Sequence, residues 1–127
     1  MLKFIHTGDI HLGLKFNNVS FDKEKAIQRR QEIWNTFERI VKYAKEKEVH
    51  FLIIAGDLFE DAYFTIGDIT RVRDYFNSIE NVNIILVAGN HDCRNSKSLY
   101  DRIDWPSNVT IFSSKGIGKK EFKELNT

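Results

Sequence analysis

The chain has 127 residues, 42% of them hydrophobic and 29% charged, with 19 Lys and Arg against 18 Asp and Glu. This composition excludes a disordered chain and fits one globular domain with a modest core; the near-neutral charge gives no electrostatic footprint for nucleic acid or an acidic membrane surface. A lone cysteine, Cys93, excludes an intrachain disulfide, the opening MLKFIHTGDI lacks the apolar core of a signal peptide, and no stretch approaches the roughly 20 apolar residues that span a bilayer. A soluble, cytoplasmic protein without membrane contact is the expectation.

The first element is the apolar run LKFIH, Leu2 to His6. From Ala26 to Glu48 the apolar positions Ile27, Ile33, Trp34, Phe37, Ile40, Val41 and Ala44 recur at helical spacing, with Arg29, Gln31, Glu38, Lys42, Lys45 and Glu46 on the wet face. A second run, FLIIAG, spans Phe51 to Gly56. The stripe Ile66, Ile69, Val72, Phe76 and Ile79 then predicts a second helix, with Thr65 as N-cap and Asp68 near its positive end. The third run is VNIILVAG, Val82 to Gly89. All three runs are near-continuous and aliphatic, as in strands buried on both faces of a parallel sheet. Strand, helix, strand, helix, strand makes two βαβ units with right-handed crossovers, an α/β fold. Beyond these, Ser98 to Ile103 predicts a short helix and Asn108 to Phe112 a fourth strand, while Ser113 to Thr127 reads only as a polar, Lys-rich segment.

The chemistry gathers where the runs end. Asp9 and His11 follow the first, Gly56-Asp57 the second, and Gly89-Asn90-His91-Asp92 the third. In a parallel sheet these are carboxyl ends along one edge, where ligand sites of open α/β sheets form. Taken singly, Asp9-Ile10-His11 and Gly56-Asp57 are ordinary turn chemistry. Their recurrence at three successive strand ends points to a site. Carboxylate, imidazole and amide donors without thiolate favour Mn, Fe or Zn over Ca. A carboxylate can also bridge two ions about 3.5–4 Å apart, a pair suited to clamping a phosphoryl group.

The series D-x-H, G-D, G-N-H-[DE] in this order and strand context resembles the calcineurin-like metallophosphoesterase superfamily. More narrowly, HTGDIHLG with AGDLF and AGNHD is similar to its DNA repair exonuclease branch, the SbcD-type nucleases, over roughly the first hundred residues. The resemblance implies a layered α/β/β/α fold, of which this chain holds the first βαβαβ half. It also implies two divalent ions, Mn ahead of Fe or Zn, and metal-dependent hydrolysis of phosphodiesters in DNA. Asp9 and His11 would bind the first ion, Asp57 would bridge, and Asn90 would bind the second. His91 would face the substrate phosphate as acid or transition-state stabiliser, and Asp92 would orient His91 or brace its turn. An ATPase partner is implied as well.

Two departures qualify the resemblance. Glu60 stands where many of the repair nucleases carry a histidine, and a carboxylate cannot duplicate a cationic phosphate contact. The family's further histidines, a lone one and then a G-H-x-H, have no counterpart, since the last histidine is His91. The expectation is that residues 1–127 are the amino-terminal part of a larger phosphoesterase domain, with a weak second metal site and little catalysis alone. A phosphatase or small-molecule phosphodiesterase of the same superfamily, or a non-catalytic truncated module, are the alternatives, and exposed strand edges suggest homo-oligomerisation. Outside the motifs, His6 reads as a packed strand histidine, His50 as a surface residue, and Phe16, Phe59, Tyr63 and Phe64 as core and hinge packing.

Overall fold

The apolar runs do become strands: β1 (Phe4–Thr7), β2 (Phe51–Ala55) and β3 (Asn83–Val87), joined by β4 (Val109–Phe112). These come from a computed structural model that describes residues 1–13, 23–60, 64–88, 99–112 and 118–125. The four strands pair in sequence order, all parallel, with Ile5 opposite Leu52, Leu52 opposite Ile84 and Ile84 opposite Val109. The crossovers are helices α1 (Lys23–Glu46) and α2 (Ile66–Asn77). The architecture is α/β, as the first half of the layered phosphoesterase fold requires.

Both helices cover one face of the sheet. Trp34, Phe37, Val41 and Ala44 of α1 and Ile69, Val72 and Phe76 of α2 form the buried stripes, and they pack with Leu52, Ile54, Ile84 and Leu86 in a single core. Each large side chain so buried contributes about 1.5–3 kcal/mol. α2 begins with a full capping box: Asp68 N–H donates to Thr65 Oγ1 and Thr65 N–H to Asp68 Oδ2, both at 3.1 Å. The buried Asn108 ties the start of β4 to the end of α2, its Nδ2 lying 3.0–3.2 Å from the carbonyls of Phe76, Ile79 and Val82.

Several expectations need correction. The strands are not buried on both faces: Phe4 and Val87 are exposed, Ile53 and Ile85 half-buried, and His6, read as a packed histidine, is exposed on the outer face. Ile27 and Ile66 also lie in solvent, because burial on each helix begins one or two turns later, where the helix meets the sheet. The last segment is not merely polar. Phe122 is buried edge-on against Phe51 at 5.0 Å, just before a short 3₁₀ turn, Lys123–Leu125, and so covers one end of the outer face. The predicted short helix near residue 100 is a 3₁₀ turn, Leu99–Asp101.

Candidate metal centre

β1 and β2 stop at Thr7 and Ala55, yet the chains that leave them stay paired. Asp9 N–H donates to Gly56 O (3.2 Å), His11 N–H to Asp57 O (3.0 Å), Leu12 N–H to Leu58 O (2.8 Å) and Glu60 N–H to Leu12 O (3.0 Å). Leu12, Leu58 and Phe59 are fully buried and pin this double strand into the core. Below it, Phe59 stacks on Phe64 at 4.6 Å, Phe64 on Trp34 at 5.8 Å, and the Arg71 guanidinium covers Trp34 at 4.1 Å. Phe59 and Phe64 are therefore core packing, as expected; Phe16 and Tyr63 lie outside the described residues.

The pinned backbone turns sharply to leave Asp9, His11 and Asp57 on the open edge. All three adopt left-handed angles, with φ of 52°, 55° and 52°. Such a conformation costs an L-residue roughly 1–2 kcal/mol, and Asp and His are among the side chains that tolerate it best. Gly13 closes the turn at φ 78°, where a Cβ would also stand 2.8 Å from the Phe64 ring. Only glycine fits there.

The result is a cluster of two carboxylates and one imidazole whose donor atoms all lie within 4.8 Å of one another. His11 Nε2 stands 3.9 Å from Asp9 Oδ1. Two ligands each about 2.1 Å from one ion stand about 3.4 Å apart at a tetrahedral angle, so a contraction of at most about 1.4 Å would close the cluster on a divalent metal. The anionic donor set offsets ion dehydration, and the residues fit such an ion. On its far side the imidazole ring of His11 meets a third carboxylate: Nδ1 is 2.8 Å from Glu60 Oε1. A groove of about 520 Å³ runs from Asp9 and Ile10 along Arg29, Ile33 and Ile40 of α1.

Of the residues singled out in the sequence, the structure thus brings together Asp9, His11 and Asp57. Asn90, His91 and Asp92 lie outside the described residues, as does Cys93. In the sequence Glu60 stands out only as a departure from a motif, and its link to His11 cannot be seen from spacing. The one hint is its position, three residues after the Asp57 of the metal motif.

Comparison with known proteins agrees with this geometry. The family model for calcineurin-like phosphoesterases matches residues 2–125. The chain is 29% identical over 124 residues to the uncharacterized metallophosphoesterase YhaO of Bacillus subtilis, covering 95% of this chain and 30% of that protein. It is 30% identical over 103 residues to the DNA double-strand break repair protein Mre11 of Methanopyrus kandleri, covering 76% and 20%. With a subunit of the nuclease SbcCD from Staphylococcus epidermidis it shares 28% over 96 residues, covering 73% and 24%. The chain thus spans less than a third of the length of these relatives. Among the described residues no helix is long and apolar enough to cross a membrane. With the family model matched along almost its whole length, and with the Asp9–His11–Asp57 cluster at the strand ends, the chain belongs to the calcineurin-like phosphoesterase family.

Proposed function

We propose that this chain carries the first part of a metal-dependent phosphodiesterase centre of the DNA repair nuclease type. The observation that carries the reading is the convergence of Asp9, His11 and Asp57 at two adjacent strand ends. Relatives named for double-strand break repair and as part of a nuclease support DNA as the substrate. In this reading Asp9 and His11 would hold one divalent ion, Asp57 would be shared with a second, and Asn90 would hold that second ion through its carbonyl oxygen. Manganese is the first choice for both. Bound ions would supply Lewis acidity at the phosphoryl oxygens and an activated water. His91 would donate a hydrogen bond to the phosphate or a proton to the leaving oxygen, oriented by Asp92.

The chain's small share of its relatives and the exposed Phe4 and Val87 support a larger domain that covers the outer sheet face and adds ligands for the second ion. The relative named as one subunit of a nuclease supports a partner protein, an ATPase by family resemblance. A second reading, a phosphatase or small-molecule phosphodiesterase, is favoured by Glu60, which places an anion where a cationic phosphate contact would suit a nuclease.

Hydrolysis assays with Mn²⁺ test the choice, on this chain and on the complete reading frame, using linear DNA, a bis-aryl phosphodiester and an aryl phosphomonoester. The expected result is cleavage of DNA and diester by the complete protein, lost in Asp57→Asn, and little turnover by residues 1–127 alone. Monoester cleavage without DNA or diester cleavage would overturn the nuclease reading.

A further inference from the structure

We propose that Glu60 is a positioning residue for His11: its carboxylate holds Nδ1–H and so fixes the tautomer and aim that present Nε2 to the metal. The inference rests on the metal reading above and assigns a role to a residue that the family motif does not explain.

The geometry distinguishes this role from that of a ligand. His11 turns Nε2 toward Asp9 Oδ1, at 3.9 Å, whereas Glu60 meets the ring at Nδ1, at 2.8 Å. A carboxylate accepts and cannot donate, so the short contact requires the proton on Nδ1. The lone pair of a neutral ring then sits on Nε2, the atom that faces Asp9 Oδ1 at 3.9 Å. Metal-binding histidines are commonly oriented through their second nitrogen by a carboxylate in this way.

The surroundings make the contact rigid. Glu60 N–H is bonded to the carbonyl of Leu12, the residue after His11, so the two backbones are locked in register. Phe59, just before Glu60, is fully buried and stacked on Phe64. The Glu60 side chain is only 14% exposed, so water competes weakly for its oxygens. His11 itself sits at φ 55°, and a backbone turn does not fix how the ring rotates about its side-chain bonds. Glu60 supplies a restraint on that rotation.

The test pairs a metal measurement with one that needs no metal. Two-bond ¹H–¹⁵N NMR spectra of the imidazole rings report the tautomer, and electron paramagnetic resonance of free Mn²⁺ reports affinity. In the wild-type chain His11 is expected as the Nδ1–H tautomer. Glu60→Leu should leave a mixture and weaken Mn²⁺ binding by about 10–100-fold. Glu60→Gln keeps an acceptor oxygen, so it should preserve the tautomer and most of the affinity. In a His11→Ala background, Glu60→Leu should cost nothing further. An Nε2–H tautomer in the wild type would overturn the proposal, with or without metal. So would unchanged Mn²⁺ affinity in Glu60→Leu when the wild type binds normally. Should the wild type take up no Mn²⁺ while His11 keeps its Nδ1–H, the metal reading fails instead.

Discussion

Among the described residues, four other than glycine hold left-handed backbone angles, and they fall in two different settings. Asp9, His11 and Asp57 gather at the carboxyl edge of the sheet, while Glu48 closes the far end of α1. At α1 the backbone itself needs the turn. Val49 N–H reaches back to Ala44 O and Glu48 N–H to Lys45 O, each at 3.2 Å, which is the Schellman arrangement that ends many helices. There the Glu48 side chain points into solvent, and glycine would suit the backbone better. At the sheet edge the same backbone cost presents a carboxylate, an imidazole and a second carboxylate to a common point. Strain that brings reactive side chains together supports the proposed site, and strain that only turns a chain supports none.

The largest effect should separate these settings through metal. Mn²⁺ that binds only the folded chain raises its stability by about 2.7 kcal/mol at a hundred times the dissociation constant. Asp57→Asn retains a side chain that tolerates the left-handed angle but removes the charge between the two proposed ions. Affinity should fall at least about a hundredfold, since even residues behind the ligands are worth roughly 10–100-fold. Thermal unfolding with and without Mn²⁺ reads this directly. A Mn²⁺-dependent rise in Tm that survived in Asp57→Asn would place the metal elsewhere.

Next comes Asp9, whose side chain is 76% exposed, so little packing is lost on its removal. Asp9→Ala keeps the strained angle and Asp9→Gly relieves it. The glycine variant should therefore be more stable than the alanine variant by about 0.5–1 kcal/mol in urea unfolding without metal, the left-handed cost less the greater freedom of glycine in the unfolded chain. Both should lose Mn²⁺ binding alike. Equal stability of the two variants would show that the turn stores no strain at this position.

The difference between the two settings also marks what can be read from the sequence. Thr65 and Asp68 announce the start of α2, and Asp9, His11 and Asp57 stand out because each follows an apolar run. These are local patterns, or patterns in the order of elements, and the chain carries them openly. Coverage of the sheet is different. Ile53, Ile85 and Val87 have the character of buried strand residues, but what packs on them is decided by other parts of a structure, and here that face is half-open. The burial of Phe122 against Phe51 joins residues 71 positions apart, in a segment whose Lys-rich neighbours suggest solvent. Glu60 is the hardest case. Its meaning depends on the ring of His11, 49 residues away, which only the continued pairing of the two loops brings within reach.

Glu48 gives the smallest and sharpest test, because its prediction runs opposite to those at the sheet edge. Glu48→Gly should raise stability by about 0.5–1 kcal/mol, the balance between relieving a left-handed L-residue and the greater freedom of glycine in the unfolded chain. The flanking pair that clasps the turn, Ala44 and Val49, is buried and stays in place. Mn²⁺ affinity should not change, since α1 ends at the opposite edge of the sheet from Asp9 and Asp57. At the edge, by contrast, glycine gains stability only by giving up a proposed ligand. A Glu48→Gly variant that was less stable than the wild type would show that this side chain has a purpose too, and that a left-handed angle alone does not tell the two settings apart.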